Sequence, residues 1–415
     1  MRRVIVALLF AASLAFSQVD VTSIAGVVRD PSGAAVPAAA VSLTQTATNR
    51  TYATTTSDKG EFGVTALPAG PYKVSVTKEG FKSESVSVTL IVGVPGSVTV
   101  DLQVGATTET ISVTAGATII QAETADVSTN ISGRQLTDLP FATRNAVELL
   151  VDAPGTATPT TPRSSTVNGL PKGAINVSID GMNTQDNNLK SSDGYFSYIY
   201  PSVDALEEVT MTTSAAGVDN TGQGGAQIKF VTKSGTNQIH GGVFWQNRNT
   251  DFNANYYYNN NVGLPRDIVK LNQGGGHIGG PIIKNKLFFF GNAEIYRFPG
   301  TNMYSKSYLT PSAASGIFTY ADTSGVIHNA NLLALGSAAG YKSSPDPLLA
   351  KTYSLESQLA TAGGIVKPNT SANDYNTNNV TYQPNGTDSR NFYTARIDYN
   401  ITAQHQFSFV YNYDG

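Results

Sequence analysis

Gly224-Gly225-Ala226-Gln227-Ile228-Lys229-Phe230-Val231-Thr232-Lys233-Ser234-Gly235-Thr236-Asn237-Gln238-Ile239-His240-Gly241-Gly242-Val243-Phe244-Trp245-Gln246-Asn247-Arg248 is the stretch on which the fold turns. Ala226, Ile228 and Phe230 fall on one side of a period-two pattern, with Gln227, Lys229 and Lys233 on the other. After a break at Ser234-Gly235-Thr236-Asn237, Val243 and Trp245 oppose Phe244 and Gln246. Alternation means strands, and the Ser-Gly-Thr-Asn cluster means a turn. The stretch reads as a junction where a soluble folded body ends and a membrane β-barrel begins.

Composition sets the bounds. At 415 residues, two or three folding units are expected. Gly 39, Pro 19 and 14% charged residues suit a β-rich exported chain better than a helical cytosolic enzyme. A net charge of −3 gives no basic field for nucleic acid. The absence of cysteine excludes thiolate catalysis, disulfides and Cys-based metal sites together. At the N-terminus, Arg2-Arg3, an apolar run over 4–16 and Ala15-Phe16-Ser17 predict a signal peptide over 1–17. A membrane anchor there would need a longer apolar run.

Residues 20–105 read as a β-sandwich, with short strands at 23–29, 40–45, 51–56, 60–65, 72–78, 83–91 and 97–102. Turn signals at Asp30-Pro31-Ser32-Gly33, Asp58-Lys59-Gly60, Leu67-Pro68-Ala69-Gly70-Pro71 and Glu79-Gly80 separate them. Gly26-Val27-Val28-Arg29-Asp30, Gly60-Glu61-Phe62 and Pro68-Ala69-Gly70-Pro71-Tyr72 together resemble the carboxypeptidase-regulatory-like, transthyretin-like module. No peptidase residues accompany it.

The linker 106–119 contains Glu109-Thr110-Ile111-Ser112-Val113-Thr114-Ala115, which resembles a TonB box. The resemblance implies that these seven residues pair as an added strand with the periplasmic domain of TonB. An extended β-prone heptad suits that mode, because main-chain bonds supply the affinity. The same residues also read as a last strand of the sandwich, or as an ordinary linker strand.

Residues 120–237 resemble the plug domain of TonB-dependent receptors. Their order is a capping box at Ser132-Gly133-Arg134-Gln135 opening a short helix, and a second helical pattern over 144–151. A hairpin of 166–170 with 175–179 through Pro171-Lys172-Gly173 is expected next, then Asp180-Gly181, a polar loop, and Pro201-Ser202-Val203-Asp204-Ala205-Leu206-Glu207-Glu208-Val209. Thr210-Met211-Thr212 stands where siderophore receptors carry Arg-Gly-Pro, so the resemblance is to the Oar-like branch. Val231-Thr232-Lys233-Ser234-Gly235-Thr236-Asn237, Gly279-Gly280-Pro281-Ile282-Ile283 and Phe288-Phe289-Phe290-Gly291 match that branch as well.

Residues 238–415 read as the start of the barrel, with strands over 271–280 and 286–297. At the C-terminal end Tyr393, Ala395, Ile397 and Tyr399 alternate with Thr394, Arg396, Asp398 and Asn400, and Phe407, Phe409, Tyr411 and Tyr413 with Gln406, Ser408 and Asn412. This is the dyad pattern of a transmembrane hairpin, apolar toward lipid and polar toward the lumen. Residues 299–390 read as a long external loop with one helix from Asp346 and Pro347 toward Gly363-Gly364. About five strands are legible, whereas the resemblance implies about 22, so a truncated reading frame or a fragment is expected.

Little else carries chemistry. His240, His277, His328 and His405 are scattered, no nucleophile elbow or P-loop is present, and no cofactor or resident metal is expected. Asp180, Asn183, Asp186 and Asn187 are hard-oxygen candidates for calcium, yet lack the twelve-residue hand pattern. Tyr195, Phe196, Tyr198 and Tyr200, with Tyr256, Tyr257 and Tyr258, either stack on an external carbohydrate, peptide or protein ligand or form a barrel-rim girdle. The expected fold is mainly β: an N-terminal β-sandwich, an α+β plug and the first strands of an antiparallel transmembrane barrel. The expected function is a TonB-dependent receptor or transporter in the outer membrane, in contact with its lipid, and not an enzyme. The rival is a secreted or surface β-sandwich adhesion or scaffold protein.

Overall fold

The computed structural model describes residues 21–415 apart from 106–109, 114–126, 139–143, 186–187, 189–193, 195, 215–224, 362–363, 370–373 and 403–404. The chain divides into two compact units, one of Met1–Phe244, Gly275–Glu294 and Asn391–Gly415, the other of Trp245–Gly274 and Ile295–Arg390.

The first unit begins with β1 (Thr22–Arg29), β2 (Ala40–Gln45), β3 (Thr51–Thr55), β4 (Glu61–Leu67), β5 (Gly70–Thr77), β6 (Ser83–Leu90), β7 (Gly96–Asp101) and β8 (Thr110–Val113). One sheet runs β4-β1-β7 and the other β3-β2-β5-β6-β8. Alternation decides which side chains meet between them: Ile24 and Val28 from β1, Val41 and Leu43 from β2, Tyr72, Val74 and Val76 from β5, and Val88 and Leu90 from β6 form one buried cluster. The Tyr72 hydroxyl, at the tip of a fully buried ring, donates to the Pro68 carbonyl at 2.9 Å and is thereby satisfied. The seven expected strands are present, and an eighth, β8, extends the larger sheet in parallel to β6.

The chain continues through β9 (Val127–Ser132), β10 (Thr156–Ala157), β11 (Thr166–Val167), β12 (Ile175–Ile179), β13 (Met182–Asn183), β14 (Leu206–Ser214) and β15 (Ala226–Thr232). A five-stranded sheet runs β13-β12-β15-β14-β9, with β12 parallel to β15 and the other pairs antiparallel. The expected hairpin of 166–170 with 175–179 does not form. β11 pairs with β10, and the Pro171-Lys172-Gly173 turn is a short 3-10 segment, Lys172–Ala174, that delivers β12 into the sheet. All five residues of β12 are buried, which a central strand requires and an outer hairpin arm does not. The expected polar face of 226–233 is covered for the same reason: Gln227 is buried and its side-chain oxygen accepts from Asn176 Nδ2 at 2.9 Å.

The helix expected after Ser132 spans Gly133–Asp138, and Gln135 supplies half of its capping box by accepting from the Ser132 N–H at 3.3 Å. The second helical pattern is a 3-10 segment, Ala146–Asp152, capped by the Asn145 side chain on the Val147 N–H. Leu136 and Leu150 from these segments pack with Val177, Met211, Ile228 and Phe230 as a second core.

Beyond the junction come β16 (His240–Asn249), β17 (Lys270–Ile283), β18 (Leu287–Thr301), β19 (Tyr304–Leu309), β20 (Ile317–Ala321), β21 (Ile327–Asn331), β22 (Ile365–Pro368), β23 (Thr377–Tyr382), β24 (Asn385–Asn400) and β25 (Gln406–Asp414). A sheet runs in the order β16-β17-β18-β24-β25. In its last pair Tyr393 faces Tyr413, Ile397 faces Phe409 and Tyr399 faces Phe407, all exposed, while Thr394 and Asp398 on the opposite side are buried. One face of this hairpin is therefore a continuous apolar, aromatic surface and the other is packed and polar, as lipid on one side and protein or water on the other demand.

The second unit corrects another expectation. Residues 299–390 are not a loop with one helix: they hold a three-stranded sheet, β19-β23-β22, and a β20-β21 hairpin. Helices span Pro311–Ala314, Leu332–Ala338 and Pro347–Thr361, the last capped as expected by Asp346, whose carboxylate accepts from the Leu348 N–H at 2.9 Å. The hairpin turn is held by the Asp322 carboxylate on the Ser324 and Val326 N–H groups, with Gly325 at φ 81.

Glu84 lies buried on β6, its Oε2 without a hydrogen-bond partner among the described residues. Burial, and behind it the nearby Asp101 carboxylate, hold its carboxyl above the usual carboxylate range. A carboxyl whose folded-state pKa is raised penalises the fold when ionised; the penalty is full above that pKa and vanishes as pH falls toward the unfolded value of 4.5. Glu84→Gln should therefore raise the melting midpoint of the sandwich at about pH 7.5, by a few degrees, and reduce the gain the parent shows on acidification to about pH 5. Equal midpoints at both pH values would contradict this reading of Glu84.

Candidate functional site

A dense polar cluster forms where the central sheet meets β24. It begins with a local signal: Asp180 (φ 47) and Gly181 (φ 82) both take left-handed backbone, the requirement of a two-residue hairpin turn, here between β12 and β13. That turn aims the Asp180 carboxylate at β15, where it accepts from the Thr232 N–H at 3.0 Å and the Thr232 hydroxyl at 2.9 Å. From β24 the Arg396 guanidinium reaches the same point. Its Nη1 donates to the Thr232 carbonyl at 3.0 Å and lies 3.4 Å from Asp180, while Nε and Nη2 grip Asp398 at 2.8 and 3.1 Å. Ser408 on β25 donates to Asp398 at 2.6 Å. The Arg396 side chain is only 14% exposed, so desolvation is severe and the fork has to be filled, as it is.

Three further links join the central region to the same sheet. Arg144 pairs with Asp204 and lays its guanidinium 4.1 Å from the Phe244 ring centre on β16. The Ser202 hydroxyl donates to the buried Glu294 carboxylate on β18, and the Tyr200 N–H donates to Asp414 on β25 at 3.3 Å. At the junction, a Cβ on Gly235 would fall 2.4 Å from the Phe289 carbonyl oxygen and 2.7 Å from that of Gly280, so only glycine lets the chain pass this close to β17 and β18. Asn237 then clasps the β17–β18 turn, accepting from the Asn285 N–H at 2.8 Å.

The sandwich is tied to this assembly by the Val92 N–H on Glu208 at 2.8 Å and by the Asn237 N–H on the Ala47 carbonyl at 2.9 Å. Its β8 comprises Thr110, Ile111, Ser112 and Val113, four of the seven TonB-box-like residues, in parallel register with Ser83–Val86; Glu109, Thr114 and Ala115 lie outside the described residues.

The aromatic candidates separate. Phe196 meets Tyr198 and Tyr200 edge-on, with ring centres 5.6 and 6.2 Å apart, and Arg163 covers the Phe196 face at 4.1 Å. Tyr195 lies outside the described residues. Tyr256, Tyr257 and Tyr258 belong to the second unit, strongly exposed, with the last two rings edge-on at 5.5 Å. Of the calcium candidates, Asp180 is committed to Thr232 and Arg396, and the Asn183 amide to Asn176; Asp186 and Asn187 lie outside the described residues. Among the described residues no group of three or more acidic or histidine side chains is placed to hold a metal. His328 pairs instead with Asp322 at 2.9 Å and His405 with the Thr402 hydroxyl at 2.9 Å.

Residues 23–103 match the carboxypeptidase regulatory-like domain, and residues 231–415 the outer membrane beta barrel domain. The chain is 28% identical over 272 residues to the TonB-dependent transporter Oar of Myxococcus xanthus, an alignment covering 61% of this chain and 25% of that protein. The chain thus spans about a quarter of that curated relative's length. Among solved structures, the outer membrane transporter YddB of Escherichia coli covers 69% of this chain and 33% of its own at 11% identity and a TM-score of 0.40. The siderophore receptor PirA of Acinetobacter baumannii covers 69% and 39% at 14% identity and a TM-score of 0.34. The chain thus combines a match to a carboxypeptidase regulatory-like domain with a match to an outer membrane β-barrel domain, and over 272 residues it is similar to a TonB-dependent transporter. Its location is the outer membrane.

Arg396→Ala should strand Asp398 and remove the link between β24 and Thr232. Deleting one partner of a buried pair costs about 3–5 kcal/mol. Proteolysis of the 233–239 connection should accelerate, on the order of a hundredfold or more if cleavage follows local opening. A rate unchanged from the parent would show that Arg396 does not hold the two sheets together.

Proposed function

We propose that this protein is a TonB-dependent outer-membrane transporter rather than an enzyme. The central sheet of β9 and β12–β15 acts as its plug, and residues 109–115 as the segment offered to the periplasmic domain of TonB. The supporting observation is the kind of contact between that sheet and the polar side of β24: the ion cluster of Asp180, Arg396 and Asp398, with Thr232. Each side keeps its own chemistry, an apolar core within the plug and an aromatic surface on the outer face of the hairpin. Polar links can be exchanged for water when the plug shifts, whereas a shared apolar core could not be opened without large cost.

The candidate contacts for an external ligand, a carbohydrate, peptide or protein, are two separate aromatic groups: Phe196, Tyr198 and Tyr200, with Tyr195, in the first unit, and Tyr256–Tyr258 in the second. Binding would bias the plug toward the conformation TonB engages. TonB would then pair with 109–115 and draw on inner-membrane energy to displace part of the plug. The adhesion or scaffold reading would leave the exposed aromatic face of β24 and β25 in water, without a role.

The segment is tested by Val113→Pro, since proline removes a ladder donor and resists a continuous strand. Site-specific crosslinking of 109–115 to the TonB periplasmic domain should be abolished. Undiminished crosslinking would place the TonB contact elsewhere.

A further inference from the structure

The segment's surroundings go beyond its sequence. β8 is the last strand of the β3-β2-β5-β6-β8 sheet, paired on one side only among the described residues. Four consecutive parallel partners fix its register: Thr110 with Ser83, Ile111 with Glu84, Ser112 with Ser85 and Val113 with Val86. The chain is brought there by a second tie just upstream. The Lys82 N–H donates to the Gln103 carbonyl at 2.7 Å, the Gly105 N–H to the Gly80 carbonyl at 3.2 Å, and Phe81 bridges Val104. Only residues 106–109 lie between that anchor and β8. So short a tether keeps the segment at high effective concentration beside β6 and makes closing the pair inexpensive in entropy.

We infer that the carboxypeptidase regulatory-like domain is a presenting platform: its β6 edge holds 110–113 extended, so that a strand of the TonB periplasmic domain adds to the open far edge of β8. This rests on the proposed TonB pairing and assigns the sandwich a part in it. A free heptad loses backbone freedom when it joins a sheet, about 1–2 kcal/mol per residue. Residues already aligned on β6 have met that cost before TonB arrives, the general gain from preorganisation. The outer edge of β8, rich in β-branched residues, is also the kind of edge that recruits another chain. The composite sheet gives a pull by TonB a defined first load, the β6–β8 ladder, ahead of the central sheet that follows at Val127.

Because the chain contains no cysteine, a single introduced pair tests this in the full chain. Ser85→Cys with Ser112→Cys joins register partners, whose spacing suits a disulfide; Ser87→Cys with Ser112→Cys is offset by two residues and serves as control. The in-register pair should oxidise readily and the control poorly. Binding of the purified TonB periplasmic domain should persist in the oxidised in-register form, with a Kd equal to or several-fold below that of the reduced form. Failure of the in-register pair to oxidise in preference to the control would overturn the inference. So would oxidation that abolishes binding while the reduced form binds, since β6 would then compete with TonB. If neither the oxidised, the reduced nor the parent chain binds, the TonB reading of 109–115 fails with it, an outcome distinct from the other two.

Discussion

A buried guanidinium on a strand that faces lipid on its other side sets the terms for the rest of this structure. Arg396 sits between Tyr393, Ile397 and their outward neighbours on β24, so its backbone belongs to the membrane-facing sheet while its side chain belongs to the interior. The interior must then supply acceptors: Asp398 from the same strand, the Thr232 carbonyl from β15, and Asp180 from the tight turn after β12. The turn, the end of the central strand and the barrel strand satisfy one another there. That is why a two-residue Asp-Gly turn, unremarkable in itself, matters to a contact 216 positions away.

The same division of labour recurs around the junction. Gly235 lets the chain slide between β17 and β18, Asn237 fastens it to the turn at Asn285, and Asn49 of the sandwich donates to the same Asn285 side chain at 3.1 Å. Polar side chains thus gather where sandwich, central sheet and barrel strands converge, while apolar ones stay inside each core or on the outer face. Separable parts require this pattern: contacts strong enough to define a position, yet not built from a continuous hydrophobic core.

Alternation made the sandwich, the strand at 226–232 and the hairpin at 393–413 legible from sequence, because each has at least one face with a single kind of neighbour. Where both faces are covered, the period carries less information. The pattern at 175–179 points to a hairpin arm beside 166–170, whereas tertiary pairing with 226–230 makes it an inner strand of the sheet. The second unit was obscured by composition: its strands are short and rich in Asn, Ser and Thr, so propensity pointed to loop, and cross-strand pairs such as Tyr304 with Tyr382 supply what propensity lacks. The spacing of Arg396 and Asp398 alone puts them on the inward side. Their joining to Asp180 and Thr232 spans too much sequence for any local pattern, as does the parallel seat of 110–113 beside β6.

At the centre of the structure one sheet separates two solvents, lipid against its outer side chains and a polar body against its inner ones. The chain's single tryptophan, Trp245, is exposed on β16 beside Val243 and reports directly on the outer side. With the chain reconstituted in vesicles, brominated lipid should quench Trp245 fluorescence strongly and aqueous iodide only weakly. Quenching by iodide with none from the lipid would contradict the account.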